Sequence, residues 1–178
     1  MLKRMGEIDY SIVPLVKSHR KKDFDCGVPA LNAYFHERSG QDVRKFYATV
    51  FVAAERGTEK VLGYYTLSNA SVSLKEVPPN VQKALPKYPD VPAIRLGRLA
   101  VDLSMRGRGL GAALVANAMI RCVGNVIAWN FLIVDAKDEA AVLFYRKFGF
   151  EGLLEDDRRL FIQRKELANF IGRIDQSK

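Results

Sequence analysis

The chain reads as a single α/β (α+β) domain built on a mixed sheet, and three observations predict this. Short β-rich runs punctuated by turn residues alternate with helical patterns. One of those patterns, from about Gly109 to Val123, is apolar almost all round, as a helix packed against a sheet must be. A glycine-rich bend, Arg106-Gly107-Arg108-Gly109-Leu110-Gly111, joins a strand-like run to that helix.

Tyr10 to Val16 is a first strand, and its Pro14 points to an edge or a bulge. Lys17 to Lys22 is a polar loop. Asp23 or Asp25 is placed to cap a helix carrying Val28, Leu31, Tyr34 and Phe35, with Pro29 in its first turn. A weaker helical piece covers Glu37 to Arg44. Tyr47 to Glu55 and Lys60 to Ser68 form a hairpin about the turn Arg56 to Glu59. Ser71 to Pro79 is polar, Asn80 to Leu85 holds a turn or two of helix, and Pro86, Pro89 and Pro92 predict a loop. Ala93 to Val101 is the fourth strand and Trp129 to Val134 the fifth. Asp138 caps a helix from Glu139 to Phe148, and Gly149 ends it in the left-handed conformation. Phe150 to Leu154 and Arg159 to Gln163 are antiparallel strands. A helical tail starts at about Lys165.

The 178 residues suffice for one domain spanning 1–178, with a core at about 10–163 and a tail at about 165–178. Hydrophobic residues make up 48% of the chain, which excludes intrinsic disorder. No apolar run reaches the roughly eighteen residues of a membrane span. Met1 to Tyr10 lacks the apolar stretch of a secretory signal. Cys26 and Cys122 lie far apart and fit no metal spacing, so each reads as a buried thiol, no metal is expected, and a reducing cytoplasm suits them. The net charge of +8 favours polyanionic partners.

At a strand-to-helix turn, successive backbone N–H groups and the positive end of the helix dipole converge on an anion. The bend is therefore a candidate pyrophosphate site. A dinucleotide fingerprint does not fit, because the bend falls mid-chain and its third glycine is misplaced. A P-loop does not fit either, because no Lys-Ser or Lys-Thr follows. The pattern that remains is R-x-x-G-x-G, as Arg106, Gly109 and Gly111.

That pattern has a context. Gly97-Arg98-Leu99-Ala100-Val101-Asp102 precedes it, and Ala140-Ala141-Val142-Leu143-Phe144-Tyr145-Arg146-Lys147-Phe148-Gly149-Phe150 follows. Together these segments resemble the GNAT family of acetyl-CoA-dependent N-acetyltransferases. The resemblance implies a mixed sheet splayed between strands 4 and 5, with helices on both faces. It implies that Leu99, Ala100 and Val101 pair with the pantetheine arm of acetyl-CoA. It implies that Arg106, Gly107, Arg108, Gly109, Leu110 and Gly111 hold the diphosphate, mainly through backbone, and that an N–H near Arg98 or Leu99 faces the thioester carbonyl. It further implies that Tyr145 protonates the departing thiolate as general acid. No carboxylate stands out as a base: Asp102 and Asp135 sit at strand ends where acids cap or pair locally, and His19 and His36 lie in polar segments.

Asp23-Phe24-Asp25-Cys26-Gly27, with Leu31, Asn32, Tyr34 and Phe35, and the run Arg95 to Asp102 look like one branch of the family. These are the acetyltransferase toxins of type II toxin–antitoxin systems. The resemblance implies acetylation of the α-amine of aminoacyl-tRNA, a block of translation, a ribbon-helix-helix antitoxin partner and a homodimer. Arg95, Arg98, Lys21, Lys22, Lys45 and Lys87 are the candidate tRNA contacts. Two alternatives stand beside this reading. One is acetylation of a protein or small-molecule amine. The other is a catalytically silent acyl-CoA-binding module that serves as a co-repressor.

Overall fold

The protein is described here from a computed structural model covering residues 8–175. Most of Met1 to Tyr10, and the tail beyond 175, lie outside the described residues. Seven strands are formed: β1 (Tyr10–Pro14), β2 (Thr49–Glu55), β3 (Val61–Ser73), β4 (Asp90–Val101), β5 (Phe131–Asp135), β6 (Glu151–Gly152) and β7 (Arg159–Gln163). They make one mixed sheet in the order β1-β2-β3-β4-β5-β7-β6. β4 and β5 are parallel; β1 with β2, β5 with β7 and β6 with β7 are antiparallel. The helices are α1 (Pro29–Ala33), α2 (Ser39–Arg44), α3 (Pro79–Gln82), α4 (Leu110–Val123), α5 (Glu139–Arg146) and α6 (Arg164–Asp175). Among the described residues no helix is long and apolar enough to cross a membrane. The β4–β5 pairing runs from Ala93↔Phe131 to Leu96↔Val134, while β4 continues to Val101.

Two compact units are distinguished, Met1–Thr66 with Arg98–Asn117, and Leu67–Gly97 with Ala118–Lys178. The first is organised around Phe24, Phe35 and Tyr64, all 1% exposed or less. Phe35 stacks on Tyr64 at 4.5 Å, and Phe24 meets both rings edge-on. Each such aromatic contributes about 1.5–3 kcal/mol by burial, and each pair about 0.5–1.5 kcal/mol more. α1 begins differently from the sequence expectation. Its N-cap is Val28, with no side-chain bond, and Pro29 occupies the first turn. The Asp25 carboxylate is engaged elsewhere, accepting from the Gly27 amide at 2.8 Å and the Asn32 side chain at 2.7 Å. Asp23 sits in a separate 3₁₀ turn. A π-turn, Tyr34–Arg38, joins α1 to α2, so the two expected helical pieces run on without a break.

α2 ends in a Schellman arrangement. The Tyr47 amide donates to the Asp42 carbonyl at 2.9 Å and the Phe46 amide to the Val43 carbonyl at 3.3 Å. The left-handed position, usually glycine, is held by Phe46 with φ 60°. A residue with a Cβ costs about 1–2 kcal/mol there.

In the second unit, Phe131 and Phe161 pack at 4.8 Å among Val72, Val77, Val91, Ile133 and Leu153. β3 and β4 are longer than the sequence suggests. Polar residues from Ser68 to Ser73 mask the far end of β3, where Val72 alone is buried. Pro92 lies inside β4; its carbonyl accepts from the Asn130 amide at 2.8 Å, and it precedes the β5 pairing that starts at Ala93. Asp138 caps α5 as expected, accepting from the Ala141 amide at 2.8 Å. Gly149 follows with φ 88°. Both cysteines are free and buried, and burial pushes the Cys122 thiol up to about 12.

Candidate active site

The bend between β4 and α4 has the shape that the sequence suggested. Gly107 and Gly109 take φ of 71° and 78°, a backbone region that suits glycine. A Cβ on either would meet nothing within 4 Å, so both face open space. The Arg106 amide donates to the Leu103 carbonyl and the Arg108 amide to that of Met105, each at 3.3 Å. The first intrahelical bond of α4 runs from the Ala113 amide to the Gly109 carbonyl at 3.1 Å. Among the described residues, the amides of Gly107, Gly109, Leu110 and Gly111 have no backbone acceptor. These are the unpaired donors that a helix N-terminus leaves for an anion. An open cradle of amides at the positive end of a fourteen-residue helix fits a diphosphate.

The bend is braced by a segment far away in sequence. The Asp25 amide donates to Asp102 Oδ2 at 3.0 Å, and the Leu103 amide to the Asp25 carbonyl at 2.8 Å. Arg106 reaches the Cys26 carbonyl through Nη2 at 2.9 Å, so its guanidinium positions the bend from behind. Asp102 Oδ1 also accepts from the amide and hydroxyl of Ser104, at 3.0 and 2.6 Å. Asp102 is 6% exposed and fully committed to these donors, which makes it a brace and not a base. Asp102→Ala is expected to lower stability by about 3 kcal/mol, since two amides lose a charged acceptor. Urea unfolding checks this.

Leu99, Ala100 and Val101 close β4; Ala100 is buried and its two neighbours are half-buried. The Arg98 amide donates to Thr66 Oγ1 at 3.0 Å, so of the two amides considered for the carbonyl this one is already engaged. The Arg98 guanidinium stacks on the Tyr34 ring, 3.7 Å from its centroid. Tyr34 in turn donates to Asp42 Oδ2 at 3.0 Å. Burial, then Asp42, pushes the Tyr34 phenol up to about 12.

Tyr145 lies in the second unit on α5. It is 9% exposed and packs edge-on against Phe144 at 5.2 Å and Phe150 at 5.6 Å. Burial pushes its phenol up to about 12, so it keeps its proton throughout the neutral range. The other titratable candidates are structural. His19 Nδ1 accepts from the Val16 amide at 3.0 Å, and burial lowers its pKa despite Glu59. His36 Nε2 lies 2.7 Å from the Phe24 carbonyl. Asp135 pairs with Arg95 at 3.6 Å and Arg159 at 3.5 Å.

The basic candidates divide. Arg95 is held by Asp135. Lys87 is exposed and donates to the Gln82 carbonyl at 2.8 Å. Lys22 and Lys45 are exposed, and Lys21 is half-buried with its Nζ 3.2 Å from the His36 carbonyl. The Asp25–Asp102 and Arg106–Cys26 braces leave no signal in the sequence, because nothing local ties residues 77 and 80 positions apart.

Residues 46–152 match the family described as acetyltransferase (GNAT) domain. The chain is 34% identical over 151 residues to the tRNA-acetylating toxin of Mycobacterium tuberculosis, spanning 84% of this chain and 89% of that protein. Among solved structures, it resembles AtaT complexed with acetyl-methionyl-tRNAfMet: TM-score 0.86 and 31% identity, over 92% of this chain and 99% of that one. It also resembles a tyrosine-to-phenylalanine variant of the AtaT toxin bound to the C-terminus of the antitoxin AtaR and acetyl-CoA. There the TM-score is 0.78 with 29% identity, over 92% of this chain and 98% of that one.

Proposed function

This chain belongs to the GNAT acetyltransferase family, and from that premise we propose that it acetylates the α-amino group of aminoacyl-tRNA and so blocks translation. The observation that carries the proposal is the likeness, over most of the chain, to a relative named as a tRNA-acetylating toxin. The net charge of +8 supports it independently, because a tRNA acceptor needs its phosphates neutralised. The family match runs through both compact units, which supports treating them as one catalytic domain.

Acetyl-CoA, when bound, supplies an acetyl group activated as a thioester. The amides of Gly107, Gly109, Leu110 and Gly111 hold its diphosphate, and Arg108 adds an exposed cation beside them. Arg106 contributes by fixing the bend. The backbone of Leu99, Ala100 and Val101 receives the pantetheine arm as an added strand. Tyr145 holds its proton at the phenol oxygen and donates it in a hydrogen bond to the departing sulfur. A phenol near 12 is a weaker acid than a thiol near 8.5, so donation lowers the charge on sulfur without full transfer. The attacking nitrogen, cationic once bonded to the acetyl carbon, supplies the proton that sulfur finally keeps. The nitrogen–carbon bond forms, the carbon–sulfur bond breaks, and the proton count closes without a protein base. An α-amine has a pKa near 7.7–8.0, so roughly a tenth to a third of it is already neutral near pH 7.

The same reading includes a toxin role in the cytoplasm, a homodimer and a ribbon-helix-helix antitoxin. The antitoxin complexed with the AtaT variant supports an antitoxin partner.

CoA release measured with charged tRNA, deacylated tRNA and a lysine peptide tests the acceptor. Release is expected with charged tRNA alone, and the affinity for that tRNA is expected to fall steeply as salt is added. Release with the peptide, or a flat salt response, contradicts the reading.

A further inference from the structure

The end of α2 carries a feature that the fold does not need. Phe46 occupies the left-handed position of the helix cap, yet its side chain is 95% exposed and gains nothing from burial. Tyr47 beside it is 76% exposed. Among the described residues neither ring meets another aromatic ring. Backbone strain without a packing return is the mark of a functional position.

The ground beside these rings is basic. Arg44 and Lys45 precede them and are exposed. Lys21 comes in from the preceding loop. A methyl group placed on Gly40 would lie 3.3 Å from Arg44 Nη1 and 3.5 Å from Lys21 Nζ, so the two cations crowd one point. Burial, then Arg44, lowers the Lys21 pKa. Ion pairs in this unit join Arg20 to Asp23 and Arg56 to Asp9, His19 lies beside Glu59, and none of these contacts involves Lys21, Arg44 or Lys45 among the described residues. Asp42, the acid on α2, accepts from the Tyr34 hydroxyl. Exposed aromatic faces set beside unneutralised cations are the combination that takes single-stranded nucleic acid: a base stacks on the ring and its phosphate meets the cations.

We propose that Phe46 and Tyr47, with Lys21, Arg44 and Lys45, form a docking shoulder on which an unpaired nucleobase of the RNA substrate stacks while its phosphate is held by the cations. This rests on the aminoacyl-tRNA reading and adds to it a named stacking contact.

The test uses the whole protein and Phe46→Gly, which puts the favoured residue at the cap. This variant is expected to melt at a higher temperature than the parent. Its KM for charged tRNA is expected to rise about tenfold, the loss that goes with one base stack, with the KM for acetyl-CoA unchanged. Phe46→Trp is expected to keep the affinity, and its indole fluorescence should change as tRNA is added. Arg44→Ala with Lys45→Ala should lower the salt slope of tRNA binding by about two. A Phe46→Gly protein with parental KM and parental tRNA anisotropy overturns the shoulder. So does a variant that keeps tRNA affinity but escapes its antitoxin, which would assign the face to a protein. If the parent acetylates no charged tRNA, the acceptor reading fails separately; tRNA anisotropy then still decides the shoulder, supported by weaker binding of Phe46→Gly and overturned by equal binding.

Discussion

Tyr145→Phe is expected to bind acetyl-CoA as the parent does and to turn over about 10²–10⁴ times more slowly, the range for loss of a positioned proton donor. The substitution is clean in structural terms. Phenylalanine keeps the ring that packs edge-on against Phe144 and Phe150, so the melting temperature should hold while the chemistry fails. The pH profile gives a second check. The phenol near 12 stays protonated far above neutrality, so kcat/KM should rise as the substrate amine loses its proton and then level off. A group that must be protonated, with a pKa near 8 or 9, would bend the curve downwards instead. Unchanged turnover in Tyr145→Phe removes the residue from the mechanism.

The second large effect is expected at the bend. Gly109→Val should weaken acetyl-CoA binding by about 10–100-fold, equivalent to losing one charge-assisted amide bond at about 1.5–3 kcal/mol. The new side chain enters open space at the bend that carries the free amides, and φ 78° is strained for any residue with a branched Cβ. Isothermal titration with acetyl-CoA measures the affinity, and thermal unfolding separates the strain from the blocked site. Normal binding by this variant would make the bend an ordinary turn.

The parts of the fold that were legible in the sequence are those with local chemistry. The Asp138 cap, the left-handed Gly149 and the glycines of the bend are short-range signals, and each appears where its residue type demands. β7 has the expected bounds because its apolar residues are bracketed by charge. What stayed hidden depends on contacts across the chain. Asp25 looked like a helix cap, but its backbone is bonded to the far bend, and its carboxylate closes the local turn instead. Arg106 looked like a ligand for diphosphate, yet its guanidinium is drawn to the Cys26 carbonyl. Arg95 looked free for RNA, but β5 brings Asp135 beside it. Phe46 was passed over because a left-handed cap is read from glycine, and no glycine is there.

Acetyl transfer to a charged tRNA has one direct test. A pool of aminoacyl-tRNAs is incubated with the protein and isotopically labelled acetyl-CoA, digested to aminoacyl-adenosines and weighed by mass spectrometry. The account predicts label on the α-nitrogen of at least one aminoacyl-adenosine, accumulating about 10²–10⁴ times more slowly with Tyr145→Phe. Label on protein or small amines, with every aminoacyl-adenosine left unmodified, would contradict it.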